Sequence, residues 1–144
     1  MSIDQASTTS QKAWVVFSGE TDIGWLKILK PGFRHCFVLL HDGQRWISID
    51  PISPCLDIQI YHHIDAEFDL PAWLESRGHK VTEAILRRHH KKPAPAMPVS
   101  CVEISKRVLG IHRRLIITPW QLYKFLKQEK SKTIEMKGEL SWVS

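Results

Sequence analysis

The sequence lacks the features that mark several protein classes. It has three cysteines in 144 residues, Cys36, Cys55 and Cys101. Three is too few for a disulfide framework, and odd in number. No CxxC or HxxxH spacing occurs, and the neighbouring pairs His62-His63 and His89-His90 would point apart on a strand. No metal and no cofactor is therefore expected. No apolar run reaches the ~18 residues that a membrane helix needs. The first ten residues are polar, without a basic stretch followed by an apolar one, so they do not read as a secretory signal. Internal repeats and low-complexity blocks are missing too. These absences lead to the expectation of a soluble, cytoplasmic protein with no membrane span.

What is present fits one globular domain. Hydrophobic residues make up 43% and charged residues 24%, which argues against disorder and coiled coil. The net charge of +5 is unevenly placed: residues 1–79 carry 6 Lys/Arg and 10 Asp/Glu, and residues 80–144 carry 14 and 5. Such asymmetry raises the question of an anionic partner. The expected layout is a flexible leader over 1–12, a single domain over 13–129 and a C-terminal tail over 130–144.

The patterning predicts a sheet-rich front and a helical back. Ala13–Ser18 is nearly continuous in apolar residues and reads as a strand buried on both faces. Gly24–Lys30 reads as one helical turn. Phe33–His41 and Arg45–Asp50 flank Asp42-Gly43, a strong hairpin signal. With Asp42 and Gly43 at the turn's centre, His41 faces Gln44, Leu39 faces Trp46, Phe37 faces Ser48 and His35 faces Asp50. Leu56–Tyr61 alternates, as a strand with one wet face does. Leu70–Gly78 reads as a short helix and Lys80–Arg87 as a strand. Three prolines in Pro93–Pro98 make a connector. Ser100–Leu109 is a helix with a capping box, Ser100 to Glu103, and Gly110 as its stop. Thr118-Pro119 opens a second helix. The fold class is α+β: an antiparallel sheet of about five strands with the Cys101 helix packed on one face.

Three residues form a candidate site. Cys101 is the first residue of a capped helix, where backbone N–H groups and the helix dipole favour a thiolate. The same spacing also suits a core residue, since Cys101 shares a face with Ile104 and Val108. His35 heads a strand, and the hairpin puts Asp50 across from it on the same face, as a carboxylate that fixes an imidazole should lie. A one-residue slip would separate them. Phe37, Leu39 and Trp46 share the His35 face and suit a packed helix; Cys36, Val38, Leu40, Ile47 and Ile49 make the opposite, core face. Cys55 follows a turn and has no obvious partner.

A His at the head of a strand, a second strand, then a Cys opening a later helix resembles circularly permuted papain-like cysteine hydrolases. These are similar to the NlpC-like cell-wall peptidases and the lecithin retinol acyltransferase group. The carrying segments are residues 32–40 around His35 and residues 100–111 around Cys101; residues 118–126 also look like those of small bacterial or phage-associated proteins. The resemblance implies a permuted papain-like fold, with the sheet before the Cys helix. It also implies Cys101 as nucleophile, His35 as general base and Asp50 as the orienting residue. The reaction would be attack on an amide, ester or thioester carbonyl through an acyl-enzyme, by a peptidase or amidase. The substrate would be a peptide or other acyl compound, with a peptidoglycan stem peptide among the candidates. No Gln or Asn before Cys101 matches the family's second oxyanion donor.

Three other classes compete. One is an acyltransferase on the same fold, and another is a non-catalytic phage assembly or adaptor protein. The third is a nucleic-acid binder using the basic half. Residues 87–92 are a basic run, but no nucleic-acid motif accompanies them and the aromatics fit sheet and helices, so nucleic acid is not expected as partner. The sequence does not fix the oligomeric state.

Overall fold

A computed structural model describes residues 11–19, 30–52, 55–87 and 100–141. The expected helical turn at Gly24–Lys30, apart from Lys30, and the proline-rich connector lie outside the described residues. The chain is α+β. Five strands, β1 (Lys12–Ser18), β2 (His35–His41), β3 (Trp46–Asp50), β4 (Asp57–Tyr61) and β5 (Lys80–Ala84), form one antiparallel sheet in the order β4-β3-β2-β1-β5. Helix α1 (Leu70–Ser76) lies between β4 and β5 in sequence, and α2 (Cys101–Leu109) and α3 (Pro119–Ser141) follow the sheet. Helix α3 runs on past residue 130, where the apolar patterning weakens.

The continuous apolar run of β1 is explained by its place between β2 and β5, with a layer on each face. Val15, Val16 and Phe17 are all fully buried. Val15 and Phe17 join Cys36, Val38, Val102, Leu109, Leu122 and Leu126 in the larger cluster under α2 and α3. Val16 points the other way, to Leu39, Trp46, Leu70 and Val81, a smaller cluster that α1 closes through Leu70 and Leu74. Period-two alternation along the strands thus sorts the side chains into two layers.

The hairpin register differs from the sequence expectation. Val38 pairs with Ile49, Leu39 with Ser48, Leu40 with Ile47 and His41 with Trp46. The turn is centred one residue later, on Gly43-Gln44, with the Asp42 N–H donating to the Arg45 carbonyl. Gly43 takes the positive φ, 97°. Asp42 stays outside as the cap: its Oδ1 accepts from the N–H groups of Gln44 (2.8 Å) and Arg45 (2.7 Å). Those two bonds hold its carboxyl below the ordinary value. Moving the centre by one shifts each partner by two, an even step, so every side chain keeps its face.

Which face receives α2 also differs. The Cys101 helix packs on the Cys36–Val38 face, not on the Phe37–Leu39–Trp46 face that the sequence suggested. Both faces are apolar, so composition did not separate them. The aromatic face is instead filled by Trp14, Trp46 and Tyr61 beneath α1, with Trp14 and Trp46 5.3 Å apart. At the β4 edge Ile58 and Ile60 remain 58% and 47% exposed, so β4 is wetter than simple alternation implied.

Candidate active site

Helix α2 is positioned by its ends. Ser100, with extended backbone (φ −119°, ψ 166°), caps the N-terminus by accepting the Glu103 N–H at 3.2 Å. That is half of the expected capping box. Glu103 does not reach back: its carboxylate pairs with Lys106 one turn on, and both are buried. Lys106 Nζ also donates to the carbonyls of Arg113 and Ile116, each at 2.9 Å. An acid that could have opposed a thiolate is thereby neutralised away from Cys101. Gly110 ends the helix in the left-handed region (φ 71°), and a Cβ there would collide with the Arg87 carbonyl. The Arg87 N–H in turn donates to the Leu109 carbonyl, so the exit of β5 clamps the helix end.

His35 is the first residue of β2 and Asp50 the last of β3. Their side chains meet, His35 Nε2 to Asp50 Oδ1 at 2.6 Å, each about a quarter exposed. Continued through the observed register, Asp50 lies across from Phe37 and reaches His35 on the diagonal, within range of long side chains. The expected pair therefore forms, by a diagonal instead of a directly facing contact. With Nε2 engaged, Nδ1 is the ring nitrogen left for another partner.

Cys101 is the other group that acts on the ring. Its half-buried thiol packs against the core cluster that holds Cys36, close enough for the His35 ring, the Cys36 thiol and the Cys36 N–H to act on its charge. These contacts bring its pKa down from 9.0 to about 5. The hydrogen bond from Cys36 acts most strongly, burial opposes it, and the His35 bond, the Cys36 N–H and the His35 charge add to the lowering. Burial of the His35 ring works against its charge. The hydrogen bonds to Asp50 and Cys101 and the charges of both outweigh that and raise it from 6.5 to about 9. Between these values the pair is thiolate and imidazolium. Cys36 moves the opposite way: its bond to the Cys101 sulfur and its complete burial push it well above 9.0, so it stays a thiol and donates.

All three sequence candidates thus come together, although α2 lies on the other face. At the head of β2 the helix end sits at the strand terminus, where residues of both faces are in reach. Cys36 is the member that sequence reasoning missed. Alternation assigned it to the core, and it is in the core, fully buried and 3.6 Å from Ser105 Oγ. The available signal was its adjacency to His35. His41 belongs to the hairpin instead, bonded to the Ala66 carbonyl and the Gly43 N–H. Cys55 is exposed. Among the described residues no three His, Cys, Asp or Glu side chains are grouped as metal ligands, and no helix is long and apolar enough to cross a membrane. Comparison of the chain with protein-family models, curated proteins and solved structures gives no match.

Proposed function

We propose that the protein is a cysteine hydrolase of the peptidase or amidase type, acting through an acyl-enzyme on Cys101. The observation that carries this reading is the chain of contacts from Asp50 through His35 to the thiol at the first residue of α2. A nucleophile, a base and a group that orients the base are the minimum that acyl transfer requires. The order of these elements along the chain is that of the permuted papain-like hydrolases.

In this mechanism the Cys101 thiolate attacks the carbonyl carbon of an amide, ester or thioester. The oxyanion that develops faces the N–H groups at the start of α2, including that of Cys101, which the helix dipole makes better donors. His35, protonated at rest, gives its proton to the leaving group as the carbonyl reforms. It then takes a proton from water, which attacks the thioester and releases the acid. Asp50 keeps Nε2 occupied throughout and stabilises the imidazolium. If an amine or alcohol enters in place of water, the same steps make an acyltransferase.

The decisive measurement is the pH dependence of Cys101 alkylation by iodoacetamide in a Cys55→Ser background. The rate should rise through pH about 5 and be level at neutrality. His35→Ala should slow it at pH 6–7 by about tenfold or more, since each unit of pKa is a factor of ten in thiolate below the pKa. Labelling that rises only near pH 8–9, as for a free thiol, would refute the reading. Incubation of the active thiol with acyl esters, with and without an amine acceptor, separates hydrolase from transferase by product.

A further inference from the structure

We propose that Cys36 is a resolving thiol for Cys101, so that oxidation by a hydroperoxide ends in a reversible Cys36–Cys101 disulfide that closes the site. Three observations carry it. Cys101 packs against the core cluster that contains Cys36, although the two are 65 positions apart in sequence. Cys36 Sγ also lies 3.6 Å from Ser105 Oγ, and Ser105 is one helical turn after Cys101, so Cys36 faces the same stripe of α2 as Cys101. Exposure sets an order: Cys101 is half-buried and reachable, while Cys36 has no exposed surface. The hydrolytic steps give Cys36 only the role of a donor to the thiolate.

The chemistry balances with the hydroperoxide as oxidant. The Cys101 thiolate attacks its O–O bond. Sulfur gains a hydroxyl and becomes a sulfenic acid, and the other oxygen leaves as hydroxide or alkoxide. Loss of the thiolate removes the strongest influence that held Cys36 protonated. The Cys36 sulfur then attacks the sulfenic sulfur; the S–S bond forms, the S–O bond breaks, and hydroxide departs with the Cys36 proton as water. The two sulfurs together lose two electrons, which reduce the peroxide. Bond formation brings the two sulfurs to ~2.05 Å. The disulfide removes the nucleophile but spares it from the irreversible sulfinic and sulfonic acids.

This inference rests on the Cys101 thiolate of the proposed function. The test uses the full-length Cys55→Ser protein and hydrogen peroxide, followed by non-reducing peptide mapping and iodoacetamide labelling. We expect a linked peptide joining Cys36 and Cys101, loss of labelling, and its full return with dithiothreitol. Cys36→Ser, or Cys36→Ala where serine disturbs the core, should instead carry Cys101 to sulfinic and sulfonic acid, with labelling lost for good. Direct sulfinic acid formation in the protein with Cys36 intact, with no linked peptide, would overturn the inference. Fast alkylation of the untreated protein with no bridge after peroxide sinks the inference alone. A bridge that forms in a protein without hydrolytic activity upholds it while the hydrolase reading fails.

Discussion

At the scale of single residues, the candidate site joins two pKa values displaced in opposite directions. Cys101 at about 5 sits below its unfolded value of 9.0, so its contribution to stability is complete above 9.0 and is lost as the pH falls through about 5. His35 at about 9 sits above its unfolded value of 6.5, so its contribution is complete below 6.5 and is lost as the pH rises through about 9. From pH 5 to 6.5 the folded site holds one proton where the unfolded chain holds two, and stability rises. From 6.5 to 9 both hold one, and the two trends offset. Urea midpoints should therefore show the native protein gaining on Cys101→Ser as pH rises from 5 to 6.5; a difference independent of pH over that range would contradict the ion pair. Asp50→Ala should leave Cys101 in place but free the ring. We expect His35 to titrate lower, by NMR of its ring protons, and alkylation at pH 6 to slow, by roughly an order of magnitude for each unit by which the Cys101 pKa comes to exceed 6.

At the scale of elements, the ends of α2 decide where the thiol stands. Ser100→Ala removes the cap and should cost about 1 kcal/mol, with Cys101 labelling shifted to higher pH as the first turn frays. Gly110→Ala should cost more. The left-handed conformation alone penalises a Cβ by ~1–2 kcal/mol, and here it also meets the Arg87 backbone. Gly138→Ala in α3 should go the other way. Nothing crowds its Cβ, and replacing a helical glycine gains up to ~1 kcal/mol. Chemical denaturation of the three variants gives the signs. Capping chemistry was legible in the sequence because it is local. Ser100 and Gly110 take the expected roles, and Thr118 with Gln121 completes a reciprocal cap at the start of α3. Glu103 did not follow its motif because Lys106, one turn away in the same buried layer, offered a stronger partner than a backbone N–H. The hairpin shows the same limit. Asp-Gly marked the turn, but the Asp42 side chain could serve either inside it or as its cap, and only the paired strands choose.

At the scale of the molecule, α2 and α3 hold the site against the sheet. Leu122 and Leu126 are buried in the same layer as Val15, Phe17 and Val38, so Leu122→Ala should cost ~2–5 kcal/mol, read as a loss in urea midpoint. Lys106→Ala should be comparably harmful, ~3–5 kcal/mol. It strands the buried Glu103 carboxylate and removes the link from α2 to the carbonyls of Arg113 and Ile116. The charge excess of residues 80–144 has a structural component here, since Lys106 and Arg87, which pairs with Glu129, are engaged in packing.

The sequence by itself determined the strands, the caps and the parity that keeps His35 and Asp50 on one face. Each of these follows from contacts a few residues apart or from the fixed alternation of a strand. It also singled out Cys101, since a residue at a helix N-terminus is identified by its immediate neighbours. Tertiary structure alone decided which sheet face the helix covers. Both faces offer similar apolar surface, and burial energy has no direction. That choice packed Cys101 against the cluster that holds Cys36, a placement of residues 65 positions apart that no local pattern encodes.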